Sequence, residues 1–134
     1  MTTPFWCLFI VAMIPYILAG LTSYFKVKQL GKLDNHHPRI QAAELTGAGA
    51  RAHGAQMNAW EALALFAAAV FMAHLAGADP RLSAIAAVIF VAARVIHLVV
   101  YIADIPLLRT GFFTVGAAMC FWLFGLAIRA QIPM

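Results

Sequence analysis

Residues 4–25 read PFWCLFIVAMIPYILAGLTSYF, a run of aliphatic and aromatic residues without one charged side chain. About 20 consecutive apolar residues are enough to cross a bilayer as a helix. Pro15 falls inside the run, where a membrane helix tolerates it with a kink or a loosened turn. The rest of the chain repeats the pattern. Apolar runs extend from Arg51 to Ala76, from Leu82 to Ala103 and from Leu108 to Ile128, separated by Gly77–Pro80 and Asp104–Pro106. Four spans use almost all of the 134 residues and leave room for a single domain. The composition agrees: 64% of residues are hydrophobic, 10% are charged and the mean hydropathy is +0.88. A water-soluble domain carries about 25% charge, and disorder needs low hydrophobicity, so both are excluded. The alternating period of barrel strands is absent. The expectation is an all-α integral membrane protein, a four-helix up-down bundle with helices at about 4–25, 51–76, 82–103 and 108–128.

The net charge of +4 could indicate nucleic acid. However, Lys26, Lys28, Lys32, Arg39 and Arg51 fall together between the first two spans. That is the positive-inside signature of a cytoplasmic loop, next to anionic headgroups. It predicts no nucleic-acid partner and places both termini outside the cytoplasm. The first run lacks a basic leader and is too long for a signal-peptide core, so it is expected to stay uncleaved. The segment after Pro38 is expected to be helical and to feed into span two. Cys7 and Cys120 lie in separate apolar runs and read as buried hydrophobes. The adjacent His36 and His37 lack further ligands and read as solvated, so no metal site is expected. His53 reads as headgroup-facing, and His74 lies at the far end of span two.

Ionisable groups inside spans are costly and usually mark functional sites. Glu61 lies roughly 15 Å along span two from Arg51, and Arg94 roughly 15 Å along span three from Asp104, at 1.5 Å per residue. Both distances start from the cytoplasmic side, so the two opposite charges should share a depth and pair. Arg51, Asn58 and Glu61 fall within about an 80° arc of span two. Arg94, His97 and Tyr101 share a face of span three, and Arg109 begins span four at the same boundary. Gln56 points about 140° away from Arg51, toward another helix or another subunit. Such a cluster suits a small polar anion with carboxylates beside a lipophilic second substrate. An arginine near a thiol would favour the thiolate.

These residues carry a family resemblance. The segment RAHGAQMNAWEALALF, residues 51–66, resembles the second-helix signature of the MAPEG family, the membrane-associated proteins of eicosanoid and glutathione metabolism. The segment RVIHLVVYIADIPLLR, residues 94–109, resembles its third helix and the start of its fourth. The resemblance implies a homotrimer in a bacterial inner membrane, with glutathione as co-substrate between subunits near the cytoplasmic face. It implies a glutathione-dependent transferase or peroxidase acting on lipophilic electrophiles. Arg109 would be catalytic, stabilising the thiolate. Asn58, Glu61, Arg94, His97 and Tyr101 would bind glutathione, with Gln56 and Arg51 in support and Lys26 or Lys28 supplying the cation of helix one. Gly54 and Met57 stand where glutathione-using members often place arginine. That difference motivates a second expectation, a non-catalytic member that binds a lipid or another small amphiphile. A four-helix multidrug transporter would resemble its relatives in a glutamate within helix one, and this helix one has none.

Overall fold

A computed structural model describes residues 1–131. It contains α1 (Thr3–Leu30), the short α2 (Pro38–Ala43), α3 (Gly47–Leu75), α4 (Pro80–Ile102) and α5 (Pro106–Ala130). All four long helices are long and apolar enough to cross a membrane. Consecutive long helices run antiparallel. α1 lies along α3 and α4 along α5, while α3 and α4 touch across the middle. α1 and α5 occupy opposite corners and do not meet. Much of their outer surface is apolar and exposed, including Phe9, Ile17, Phe121 and Ile128. That is the expected face toward acyl chains, where only the backbone must be satisfied internally.

The helices extend beyond the apolar runs. α1 continues through Lys26 and Lys28 and stops at Gly31, whose φ of 82° places it in the left-handed region. Its N–H closes on the Val27 carbonyl, a usual helix C-cap. Nothing in the lysine-rich turn opposes helix, since Lys, Gln and Leu are good helix formers; Lys28 is exposed to water, and the buried Lys26 finds a backbone acceptor. α3 likewise begins at Gly47, before Arg51. The expectation after Pro38 needs correction. That segment is helical but is a separate short element, and the chain breaks at Leu45–Thr46 before α3 starts.

The break is fixed by side chains that bond to backbone. Gln29 accepts from the Thr46 N–H at 3.0 Å and donates to its carbonyl at 3.1 Å. Gln41 accepts from the Asp34 N–H at 3.0 Å and donates to the Lys32 carbonyl at 2.7 Å. Lys26 donates its ammonium to the Pro38 carbonyl at 2.8 Å. Asp34 Oδ1 accepts from the His36 and His37 N–H groups at 2.8 and 3.0 Å. The His37 and His36 N–H bonds hold the Asp34 carboxyl below its ordinary range, because they favour its charged form. Gly49 lets α3 approach α1 here: a Cβ would fall 2.8 Å from the Gln29 amide nitrogen.

The middle of the bundle is apolar. Phe66 on α3 and Phe90 on α4 stack with ring centroids 4.0 Å apart and planes within 4°. Both are essentially inaccessible, and Cys120, Leu123 and several alanines close around them. Small residues let membrane helices approach closely where no hydrophobic drive brings them together.

Candidate functional site

The buried face of α4 runs through Ser83, Ala87, Phe90, Arg94 and His97. This places Arg94 one turn from the stacked phenylalanines, toward the α4–α5 turn. Its side chain is 5% exposed. One guanidinium nitrogen donates to Asn58 Oδ1 on α3. The expected Glu61–Arg94 ion pair does not form. Among the described residues the ion pairs are His37 with Asp34 and Arg51 with Asp104. Equal depth was a sound inference, yet the neutral amide one turn before Glu61 is the group that takes the arginine. Glu61 is exposed and borders the same recess. That recess, about 130 Å³, is also lined by Asn58, Arg94, Phe113, Gly116 and Cys120. A guanidinium held among apolar helices without a carboxylate is an unfavourable arrangement for the protomer alone.

Tyr101, Arg109 and His97 form a second group beside the first. The Arg109 guanidinium carbon lies 4.9 Å from the centre of the Tyr101 ring, within range of a cation–π contact. His97 meets Tyr101 edge-on at 5.6 Å between centroids and is 2% exposed, so it packs inside the protomer. Tyr101 and Arg109 are half-buried. The tyrosine hydroxyl rests against Gly54 on α3, where a Cβ would come within 2.6 Å of it. A position at which the resemblance led us to look for arginine is therefore the seat of the tyrosine.

Arg51 is engaged elsewhere. Its Nε donates to the Ile102 carbonyl at 2.9 Å, and Nη1 lies 3.6 Å from the Asp104 carboxylate. It thereby ties the start of α3 to the end of α4. Asp104 has a φ of 62°, a conformation that L residues other than Gly, Asn and Asp rarely adopt. The turn that leads into Arg109 is thus fixed by a specific latch.

Gln56 lies on the other side of α3. With Thr22, Lys26, Arg39, His53 and Trp60 it lines a groove of about 540 Å³ between α1, α2 and α3. Thr22 Oγ1 and His53 Nδ1 are buried there without a partner among the described residues. Thr22 escaped the sequence reading. Its spacing of four from Lys26 on one helix face was the available signal. Of the eight residues singled out from sequence, Asn58, Glu61 and Arg94 line one recess. His97, Tyr101 and Arg109 form a packed group beside it. Arg51 braces the turn, and Gln56 faces away.

The family model described as MAPEG family matches residues 3–129, nearly the whole chain, and the protein belongs to that family. No curated protein shows significant similarity to it.

Proposed function

We propose that this MAPEG family member is a glutathione-dependent transferase or peroxidase that acts on lipophilic electrophiles at the cytoplasmic side of a bacterial inner membrane. The family includes glutathione transferases and peroxidases as well as other members. The observation that carries the reading is Arg94: a cation buried inside the membrane-spanning part of the protomer, bonded to an amide, and bordering a recess with Glu61 at its edge.

The residues present fit glutathione as a substrate. Arg94 and Asn58 offer charge and hydrogen bonds to a carboxylate. Glu61 offers a carboxylate to an ammonium. Arg109 would lower the pKa of a thiol beside it, with the Tyr101 ring holding the guanidinium in place. The thiol proton passes to water, and the thiolate supplies the electron pair for the new carbon–sulfur bond to an electrophile dissolved in the bilayer, whose leaving group departs with its own bonding pair or whose opened double bond takes up a proton. Gln56 and Lys26 sit across α3 from this recess, so they reach a shared ligand only when a neighbouring subunit supplies them. That geometry supports a homotrimer with sites between subunits.

Calorimetric titration of the purified protein with glutathione tests the proposal. Saturable binding, with conjugation of a lipophilic electrophile or reduction of a lipid hydroperoxide, is the expected result. Absence of both binding and turnover overturns it. A second reading, a non-catalytic member that binds a small amphiphile, is favoured by the shortage of free cations: Arg51 is committed to Asp104, and Gly54 and Met57 carry no charge. Arg109→Ala leaving ligand binding and all turnover unchanged would select that reading.

A further inference from the structure

At the end of the bundle away from Arg94 and Arg109, the start of α1, the end of α3, the start of α4 and Leu123 of α5 line a further cavity, of about 290 Å³. Its walls include Phe5, Val70, Ala73, His74, Ser83 and Leu123. Most of this lining is apolar, and Val70, Ala73 and Leu123 are fully buried. Phe5 and His74 pack edge-on at one side, 5.0 Å between ring centroids.

Ser83 makes the cavity more than a packing gap. Its side chain is buried, at 7% exposure, and its hydroxyl has no hydrogen-bond partner among the described residues. A helical serine or threonine normally returns its hydroxyl to the carbonyl four residues back. Thr110 and Thr114 on α5 do so, at 3.1 and 2.9 Å. Ser83 does not. A buried hydroxyl without a partner is costly, and here it borders a space large enough for a ligand.

We infer that this cavity is a binding site for a neutral single-chain amphiphile, whose alcohol or carbonyl oxygen bonds to Ser83 while its apolar chain lies against Val70, Ala73 and Leu123. Size sets the class. A cavity of about 150 Å³ takes one benzene, so this one holds about a dozen heavy atoms, at the lower end for small-molecule sites. Charge sets the rest: among the lining residues none is Asp, Glu, Lys or Arg. The site is independent of the glutathione reading and lies at the other membrane face.

Photolabelling with a diazirine-bearing octanol tests the inference. We expect label concentrated between Ala73 and Ser83 and displaced by 1-decanol far better than by decane. Ser83→Ala should weaken labelling by about two- to tenfold, the worth of one hydrogen bond, and Ser83→Thr should restore it. Two sources supply this chemistry. Displacement by 1-decanol but not by methyl decanoate identifies an alcohol, and displacement by methyl decanoate as well identifies the carbonyl of a single-chain ester. Label spread evenly over lipid-facing residues, or unchanged by Ser83→Ala, or displaced equally by decane, overturns the site.

Discussion

At the end of the bundle that holds loop one, the segment between α1 and α3 that contains α2, polar side chains cross between elements. Gln29 clasps Thr46, Lys26 reaches Pro38, Arg51 bonds the end of α4, and Arg94 bonds Asn58. At the far end, the side-chain hydrogen bond between helices among the described residues is Gln131 to the Ala76 carbonyl, at 3.2 Å. Most other contacts between helices there are apolar, among residues such as Phe5, Val70, Ala73, Ala86 and Leu123. The same helices thus meet through directed polar contacts at one end and through shape at the other. Packing accepts volume-conserving exchange at small cost, whereas a buried polar group that loses its partner suffers the full desolvation penalty. The contrast implies that positional accuracy, and with it chemistry, belongs to the loop-one end.

Substitutions at that end test the contrast, and Arg94 should give the largest effect. Arg94→Met keeps volume and removes the cation. We expect glutathione affinity to fall by about a hundredfold, the upper worth of a charge-assisted hydrogen bond, with the fold retained by circular dichroism. Unchanged affinity by calorimetry would remove Arg94 from the site. Gly54→Ala comes next. Its methyl would displace the Tyr101 hydroxyl and loosen the ring on which Arg109 rests. A misplacement near 1 Å costs turnover up to about a hundredfold, so we expect a ten- to hundredfold fall in kcat with little change in unfolding temperature.

Arg51→Ala should act on stability. It removes a charged hydrogen bond to the Ile102 carbonyl, worth about 1.5–3 kcal/mol, and a largely exposed ion pair, worth about 0–1 kcal/mol. We expect a loss of about 2 kcal/mol in detergent unfolding. Asp104→Gly should be nearly neutral, because relief of the left-handed backbone, about 1–2 kcal/mol, offsets the lost pair. Unchanged stability of Arg51→Ala would refute the latch.

The smallest effect concerns Asp34. Its folded pKa is lowered, so its stabilising contribution is complete above the ordinary carboxylate value, about 3.9. That contribution is lost as the pH falls through the lowered value. The His36 and His37 amide resonances should report one acid transition below that of a free aspartate, and Asp34→Asn should abolish it.

Much of this architecture was legible in the sequence. Long apolar runs, two of them free of interior charge and two carrying a single interior charge, announced the four long helices, because a bilayer penalises any charge left facing lipid. Depth was legible too, since the helical rise is fixed, and it brought Arg94 level with the Asn58–Glu61 turn. What could not be read was the choice between Asn58 and Glu61, which depends on azimuth and side-chain reach. The engagement of Arg51 by the α4–α5 turn was hidden for a related reason: the acceptor is a backbone carbonyl, which no residue letter announces. The seat of Tyr101 on Gly54 is a contact between helices, and a glycine in an Ala-rich span gives no sign of what rests on it. The Ser83 cavity comes from three helix ends whose convergence only the folded chain displays.

The Phe66–Phe90 stack has a consequence for transport. Polar groups near both membrane faces, joined by a file of water, would form a wire along which protons leak. The two rings, with Cys120 and Leu123 around them, close the cross-section between Arg94 and Ser83. The protomer is therefore expected to hold a buried guanidinium without conducting protons, which a pH-gradient assay in proteoliposomes checks.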